Sequence, residues 1–140
     1  MRSTPLYIFL FLILGCSQSP VQEGDLHWLN GYWEISQVDL PGGGTKEYTV
    51  NPTVDFLFLE GHGGYRKKMR PDFDGTFATS RDVEEFTLSP GRNGFIFQYK
   101  KGDNRWEETL TALDSLSFSV VNAEGIGYTY KRFEPIKIPR

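Results

Sequence analysis

The chain has 140 residues, 15 basic and 18 acidic, for a formal net charge of −3, with a single cysteine and two histidines. That balance gives no electrostatic reason to expect nucleic acid as a partner, and His27, His62 and Cys16 have no metal-ligand spacing, so neither a metal nor a cofactor is expected. Aromatic residues make up 15% of the chain beside 15 Gly and 8 Pro, which favours a β-rich fold with many turns over a helical bundle.

Arg2 precedes an unbroken apolar run from Leu6 to Leu14, followed by Gly15-Cys16. A basic start, a greasy core too short for a bilayer and a small residue at its end read as an export signal over residues 1–15. Leu12-Ile13-Leu14-Gly15-Cys16 resembles the lipobox of bacterial lipoproteins. The resemblance implies cleavage before Cys16, a diacylglyceryl group on its thiol and an acyl chain on the new amine, and two or more chains hold a protein stably on a membrane. Ser17 stands where a signal for inner-membrane retention carries Asp, so the resemblance points to the outer membrane of the cell envelope, on either face. The other reading is an ordinary secretory signal cut elsewhere, with Cys16 incidental. Removing the signal takes away one Arg and no acid, and leaves a chain long enough for one domain without disulfides.

Residues 16–25 are small and polar and read as a lipidated flexible tether. The domain is expected from residue 26 to 134, opening with the apolar plug Leu26-His27-Trp28-Leu29 and the turn Asn30-Gly31. Strands are predicted over 32–39, where Trp33 and Ile35 share a face, and over 53–59, which is apolar on both faces apart from Asp55. Further strands are predicted over 65–69, 73–79, 84–88, 95–100, 105–111, 116–121 and 126–133, separated by clusters such as Glu60 to Gly64, Ser80-Arg81-Asp82, Ser89 to Gly94 and Lys101 to Asn104. Residues 135–140 hold two prolines and read as an extended tail. Short strands at even spacing, joined by hairpin turns, predict an all-β, up-and-down antiparallel barrel of about eight strands, with a β-sandwich as the alternative.

Gly31-Tyr32-Trp33 on the first strand, preceded by the plug, resembles the Gly-x-Trp signature of the lipocalins. The stretch from Leu110 to Phe118, followed by Tyr128 to Phe133, is similar to the C-terminal half of lipocalin-like lipoproteins from bacteria of the Bacteroidetes type. The resemblance implies an eight-stranded barrel whose closed base is built from Gly31 and Trp33, with Arg132 from the last strand packed over the tryptophan. The chain departs from the family pattern in two ways: the Thr-Asp-Tyr motif is missing, and Pro135 to Pro139 cannot form the helix that packs outside the barrel.

A barrel of this size is either filled by its own side chains or holds one small ligand. The candidate ligand-binding residues are Phe58, Phe97, Tyr99, Trp106, Glu108, Tyr128 and Tyr130, with Glu108 as a polar handle among aromatic rings, unless it is paired with a neighbouring Arg or Tyr. The basic stretch Arg66-Lys67-Lys68 with Arg70 reads either as a contact for anionic headgroups or as a solvated strand face, with alternation splitting its charges between two faces. Catalysis finds no support: Glu84-Glu85 and Glu107-Glu108 point to opposite faces of their strands, no Ser sits in a nucleophile elbow, and Asp72-Phe73-Asp74-Gly75 lacks the later ligands of a calcium loop. The expected function is a membrane-anchored protein binding a small hydrophobic or amphipathic ligand in its barrel. The alternative is a structural or adaptor lipoprotein with a filled barrel, for which a second apolar face on residues 53–59 would need a protein cover.

Overall fold

A computed structural model describes residues 20–135; Cys16, the signal segment and residues 136–140 lie outside the described part. A short 3-10 helix, Glu23–Leu29, leads into β1 (Gly31–Asp39), β2 (Thr45–Glu47), β3 (Val54–Glu60), β4 (Gly63–Pro71), β5 (Phe77–Gly91), β6 (Gly94–Lys101), β7 (Asn104–Leu113), β8 (Ser117–Asn122) and β9 (Gly127–Arg132). Every pairing is antiparallel, in the order β1-β3-β4-β5-β6-β7-β8-β9, and β9 returns to β1 through Trp33↔Arg132 to Asp39↔Gly127. The result is a closed eight-stranded barrel, with β2 appended to the far end of β1 through Gln37↔Glu47. Closure pairs the strand edges that an open sheet would leave as templates for aggregation.

Alternation decides which residues fill the inside. Trp33, Leu57, Leu59, Phe86, Leu88, Phe95, Phe97, Tyr99, Leu110, Phe118, Val120 and Tyr130 are buried in one cluster, closed beneath by Leu26 and Leu29 of the 3-10 helix. The barrel therefore has two unlike ends. The closed end carries the 3-10 helix and the β3–β4, β5–β6 and β7–β8 turns; the open end carries the β1–β2, β4–β5, β6–β7 and β8–β9 connections, and the segment from β2 to β3 runs back along β1.

Several local expectations change. Phe58 lies outside the barrel and is 38% exposed, because Leu57 and Leu59 take the inner face. Both parities of this strand are apolar, so hydrophobicity cannot choose between them; Asp55 goes inward and is held there by Lys68 at 3.2 Å. The segments expected as separate strands at 73–79 and 84–88 form one strand, β5, and the turn expected at Ser80-Arg81-Asp82 is extended backbone within it. Phe73 is not in a strand but at the tip of the β4–β5 hairpin, 93% exposed. A bulge between Lys67 and Met69 bends the distal arm of that hairpin over the outside of β1, where Phe77 stacks on Tyr32 at 4.7 Å and meets Phe133 at 6.0 Å. Thr45–Glu47, expected as loop, pairs as β2. The tether is shorter than expected, since Val21 packs against the core and Glu23 to Asp25 belong to the 3-10 helix.

The β7–β8 turn shows how side chains set these connections. Asp114 accepts hydrogen bonds from the Leu116 and Ser117 amides, both at 2.8 Å, which hold its carboxyl below the ordinary range, the Leu116 bond contributing most. A depressed folded-state pKa gives stability that is present at neutral pH and lost as pH falls through the carboxylate range. Asp114→Ala is therefore expected to cost about 0.5 kcal/mol at neutral pH, a small figure because the group faces water, and the difference from wild type should shrink in urea titrations below about pH 4.

Candidate functional site

At the closed end, Gly31 takes φ +124°, and a Cβ there would stand 2.5 Å from Arg132 Nη1, so the first residue of Gly-Tyr-Trp must be glycine for the guanidinium to pass. Arg132 lies over the Trp33 ring, its Cζ 3.9 Å from the centroid, and donates to the carbonyls of Asn30 (2.5 Å), Ser115 (2.9 Å) and Trp28. Trp33 is fully buried, donates from Nε1 to the Leu29 carbonyl at 2.8 Å and meets Phe118 edge-on at 4.7 Å. One arginine thus ties together the 3-10 helix, the start of β1 and the β7–β8 turn. This is the base that the resemblance implied, and its role is structural.

The candidate ligand residues other than Phe58 converge on the lumen. Phe97 and Tyr99 stack at 5.5 Å, and Tyr99 stacks on Trp106 at 5.2 Å. Tyr130 stacks on Phe118 at 4.6 Å, with Tyr128 against the same core. Phe97 at 0% exposure, Tyr99 at 3%, Tyr130 at 5% and Glu108 at 7% are packed against their neighbours, while Trp106 and Tyr128 are half-buried. These rings fill the middle of the barrel as packing.

What sequence reasoning missed is Arg66. β4 sends its side chain inward, where Nε and Nη2 donate to Glu84 Oε2 at 2.9 and 2.6 Å and Nη1 donates to Glu108 Oε1 at 3.3 Å, while the guanidinium sits 4.5 Å from the centre of the Tyr99 ring. The register explains the meeting, since Arg66 is the cross-strand partner of both Leu57 and Glu84. Burial works against the charge on Arg66, but the acidic groups around it, Tyr99 first, more than offset this and hold its pKa above the ordinary value. Burial pushes Glu108 up against the pull of Arg66, and it pushes the Tyr99 and Tyr130 hydroxyls up as well. Alternation splits the charges of 66–70 between two faces without saying which is inner, and nothing in the sequence names Glu84 as the partner of Arg66.

Toward the open end the charged cluster meets solvent. An opening of about 250 Å³ is walled by Arg66, Lys68, Asp82, Glu84 and Lys101. Lys68 reaches Asp55, and Lys101 reaches Asp82 at 3.4 Å. Among the described residues, no group of three His, Cys, Asp or Glu side chains is placed to hold a metal ion, and no helix is long and apolar enough to cross a membrane. Asp72 to Gly75 forms a closed turn, in which the Thr76 amide and hydroxyl donate to Asp74.

No family model matches the chain. Over 88 residues it is 32% identical to the FAD-dependent monooxygenase cle3 of Aspergillus versicolor, a match that takes in 59% of this chain and 18% of that enzyme, so the chain spans under a fifth of this relative's length. Among solved structures it is similar to a lipocalin-like protein from Bacteroides uniformis, with a TM-score of 0.47 and 12% identity over 76% of this chain and 99% of that one. It is also similar to an uncharacterized protein from Bacteroides eggerthii, with a TM-score of 0.48 and 8% identity over 75% and 99% of the two chains. The fold is lipocalin-like. The chain's own geometry carries that statement: a closed eight-stranded antiparallel barrel, a tryptophan sealing one end and an arginine from the last strand laid over it.

Proposed function

We propose that this chain is an exported lipoprotein, anchored through Cys16 to the outer membrane, whose lipocalin-like barrel takes a small amphipathic molecule at its open end. One observation carries the reading: the opening of about 250 Å³ lies directly on the Arg66 cluster. Burying ions is costly, and an apolar filling of similar volume is often as stable or more so. A barrel that needed only to be solid gains nothing from Arg66, whereas fixed charges facing an opening suit recognition. The volume equals about eight waters at ~30 Å³ each and falls below the usual range for drug-sized ligands. A bulky apolar guest is thereby disfavoured. Lys68 and Lys101, half exposed and paired with Asp55 and Asp82, stand at the opening for the polar head, and the half-buried Trp106, stacked on Tyr99, offers the apolar part a surface. The role is binding, not catalysis, since Arg66 already holds both luminal glutamates.

Native mass spectrometry and NMR titration of the mature chain carrying Cys16→Ser test the binding claim. A co-purifying or titrated small amphiphile should be lost on Lys68→Ala and on Trp106→Ala. A clean apo mass, with no shifts around Arg66 across a panel of small organic acids and amines, overturns it. The anchor is tested separately by labelling cells with a clickable fatty acid, where Cys16→Ala should abolish the label.

A second reading, an adaptor with a solid barrel, is favoured by a groove of about 700 Å³ on the outer wall, with Phe58, Tyr65 and Val83 on one side and Glu85, Arg105 and Glu107 among its polar lining. The apolar surface that needs a cover is the Phe58 side of β3, not the Leu57 and Leu59 side. Capture of a defined envelope protein that is lost on Phe58→Glu would support this reading.

A further inference from the structure

We infer that the closed end of the barrel faces the bilayer and the open end faces away from it, an orientation that rests on the Cys16 anchor proposed above. The length of chain between the lipid and the domain decides this. Cys16 lies four residues before Pro20, a span of at most about 13 Å at ~3.3 Å per residue. The chain joins the domain at the closed end: Val21 approaches to 4.0 Å of the Cβ position at Gly94, at the start of β6, and Glu23 reaches His62 on the β3–β4 turn at 2.6 Å. A strand as long as β6 rises about 20 Å along a barrel axis when tilted by ~40°. The tether is too short to bring the open end down to the membrane.

This conclusion runs against a reading from surface hydrophobicity alone. Three of the most exposed large apolar side chains are Leu40 (51%), on the β1–β2 turn at the open end, and Val50 (84%) and Phe73 (93%), which border a groove on the outside of β1. The arm carrying Phe73 packs over β1, which the strand order places across the barrel from β6. Val50 and Phe73 therefore lie on the flank of the barrel across from the tether, where they border one groove with Glu34 and Phe133.

Leu116, 69% exposed on the β7–β8 turn, and the half-buried Trp28 of the 3-10 helix are the apolar residues this end presents to the bilayer. Arg132 holds them as one surface, its guanidinium donating to the Trp28 and Ser115 carbonyls and its amide to the Leu116 carbonyl. Tryptophan is at home in the headgroup layer. Among the described residues at this end, Glu23, Asp25, Glu60 and Asp114 outnumber Arg92 and Arg132, so contact by this surface favours zwitterionic over anionic headgroups. The binding opening then receives its ligand from water rather than from the membrane.

Because Cys16 is the sole thiol, the mature chain can be coupled to maleimide lipid in phosphatidylcholine vesicles with brominated acyl chains, and tryptophan quenching read. Trp28 reports the surface of the closed end and Trp106 the open half, while Trp33, fully buried beneath Arg132, is present in every variant and sets the baseline. Quenching is expected to persist in Trp106→Phe, to be largely lost in Trp28→Phe, to fall in Leu116→Asp at unchanged melting temperature, and to weaken when anionic lipid is added. Quenching that survives Trp28→Phe but disappears in Trp106→Phe overturns the orientation, as does its absence in every protein. Chemical coupling supplies the tether, so this result stands apart from the fatty-acid label that tests the anchor itself.

Discussion

Arg66→Met is expected to destabilise the barrel by about 3–5 kcal/mol, a large share of the ~5–15 kcal/mol available to a domain of this size. The loss does not measure the worth of the ion pairs. It arises because Glu84 and Glu108, both inside the wall, lose their donors while their own cost of burial remains. Removing all three charges together, as Arg66→Met with Glu84→Leu and Glu108→Leu, should therefore restore most of the lost stability, and urea unfolding of the single and triple variants separates the two accounts. The pH dependence has a definite sign. Burial raises Glu108 already, and without Arg66 the opposing pull disappears, so the folded state binds that proton more tightly than the unfolded chain does. A raised carboxyl pKa contributes stability below the unfolded value and withdraws it as pH rises through the folded value. The deficit of Arg66→Met should be greatest at neutral and alkaline pH and should narrow as the solution is acidified. If the triple variant keeps its stability but no longer binds the amphiphile proposed above, the cluster serves recognition; unchanged binding would leave it only a packing role.

Much of this architecture was legible because its signals are local. Turn clusters and period-two alternation placed β6, β7 and β8 within a residue or two, and the Gly31-Tyr32-Trp33 pattern located the base together with its arginine 99 positions downstream. Where legibility failed, two distant segments decide the outcome together. Phe56 and Phe58 compete with Leu57 and Leu59 for the inner face of β3 on equal hydrophobic terms, and the partners that receive each parity, Lys68 for Asp55 inside and Tyr32 and Tyr65 for the phenylalanines outside, come from neighbouring strands. β5 looked like two strands because Ser80-Arg81-Asp82 has turn composition, yet its length follows from the β4 arm it pairs with, and the bulge at Lys67/Met69 absorbs the bend. The site shows the same division. Phe97, Tyr99, Trp106, Glu108, Tyr128 and Tyr130 were assigned to the lumen by parity, and they are there, but whether that lumen is hollow depended on a side chain from another strand. Arg66 was read as one member of a basic run, although its position opposite Glu84, 18 residues on, carries it inside.

Trp33→Ala should be as damaging as the loss of Arg66, for a different reason. A fully buried tryptophan removed from a core costs about 3–5 kcal/mol, combining lost transfer energy with the void left behind. The void would open where the 3-10 helix caps the barrel, so Leu26 and Leu29 lose their floor and Arg132 its ring, and the seal should loosen before the strands separate. Trp33→Phe keeps much of the volume but leaves the Leu29 carbonyl without its donor, with an expected cost of about 1–2 kcal/mol. Arg132→Lys cannot repeat the planar stack while reaching three carbonyls, so it should behave nearly like Arg132→Ala. A double-mutant cycle on Trp33 and Arg132 isolates their contact, for which a coupling of about 0.5–2 kcal/mol is expected from the cation–π geometry. Hydrogen exchange locates the effect: fast exchange confined to the Asn30 and Trp33 amides and the β7–β8 turn identifies this pair as the latch of the closed end, whereas uniform acceleration around the barrel would mean that Trp33 is simply one core residue among many.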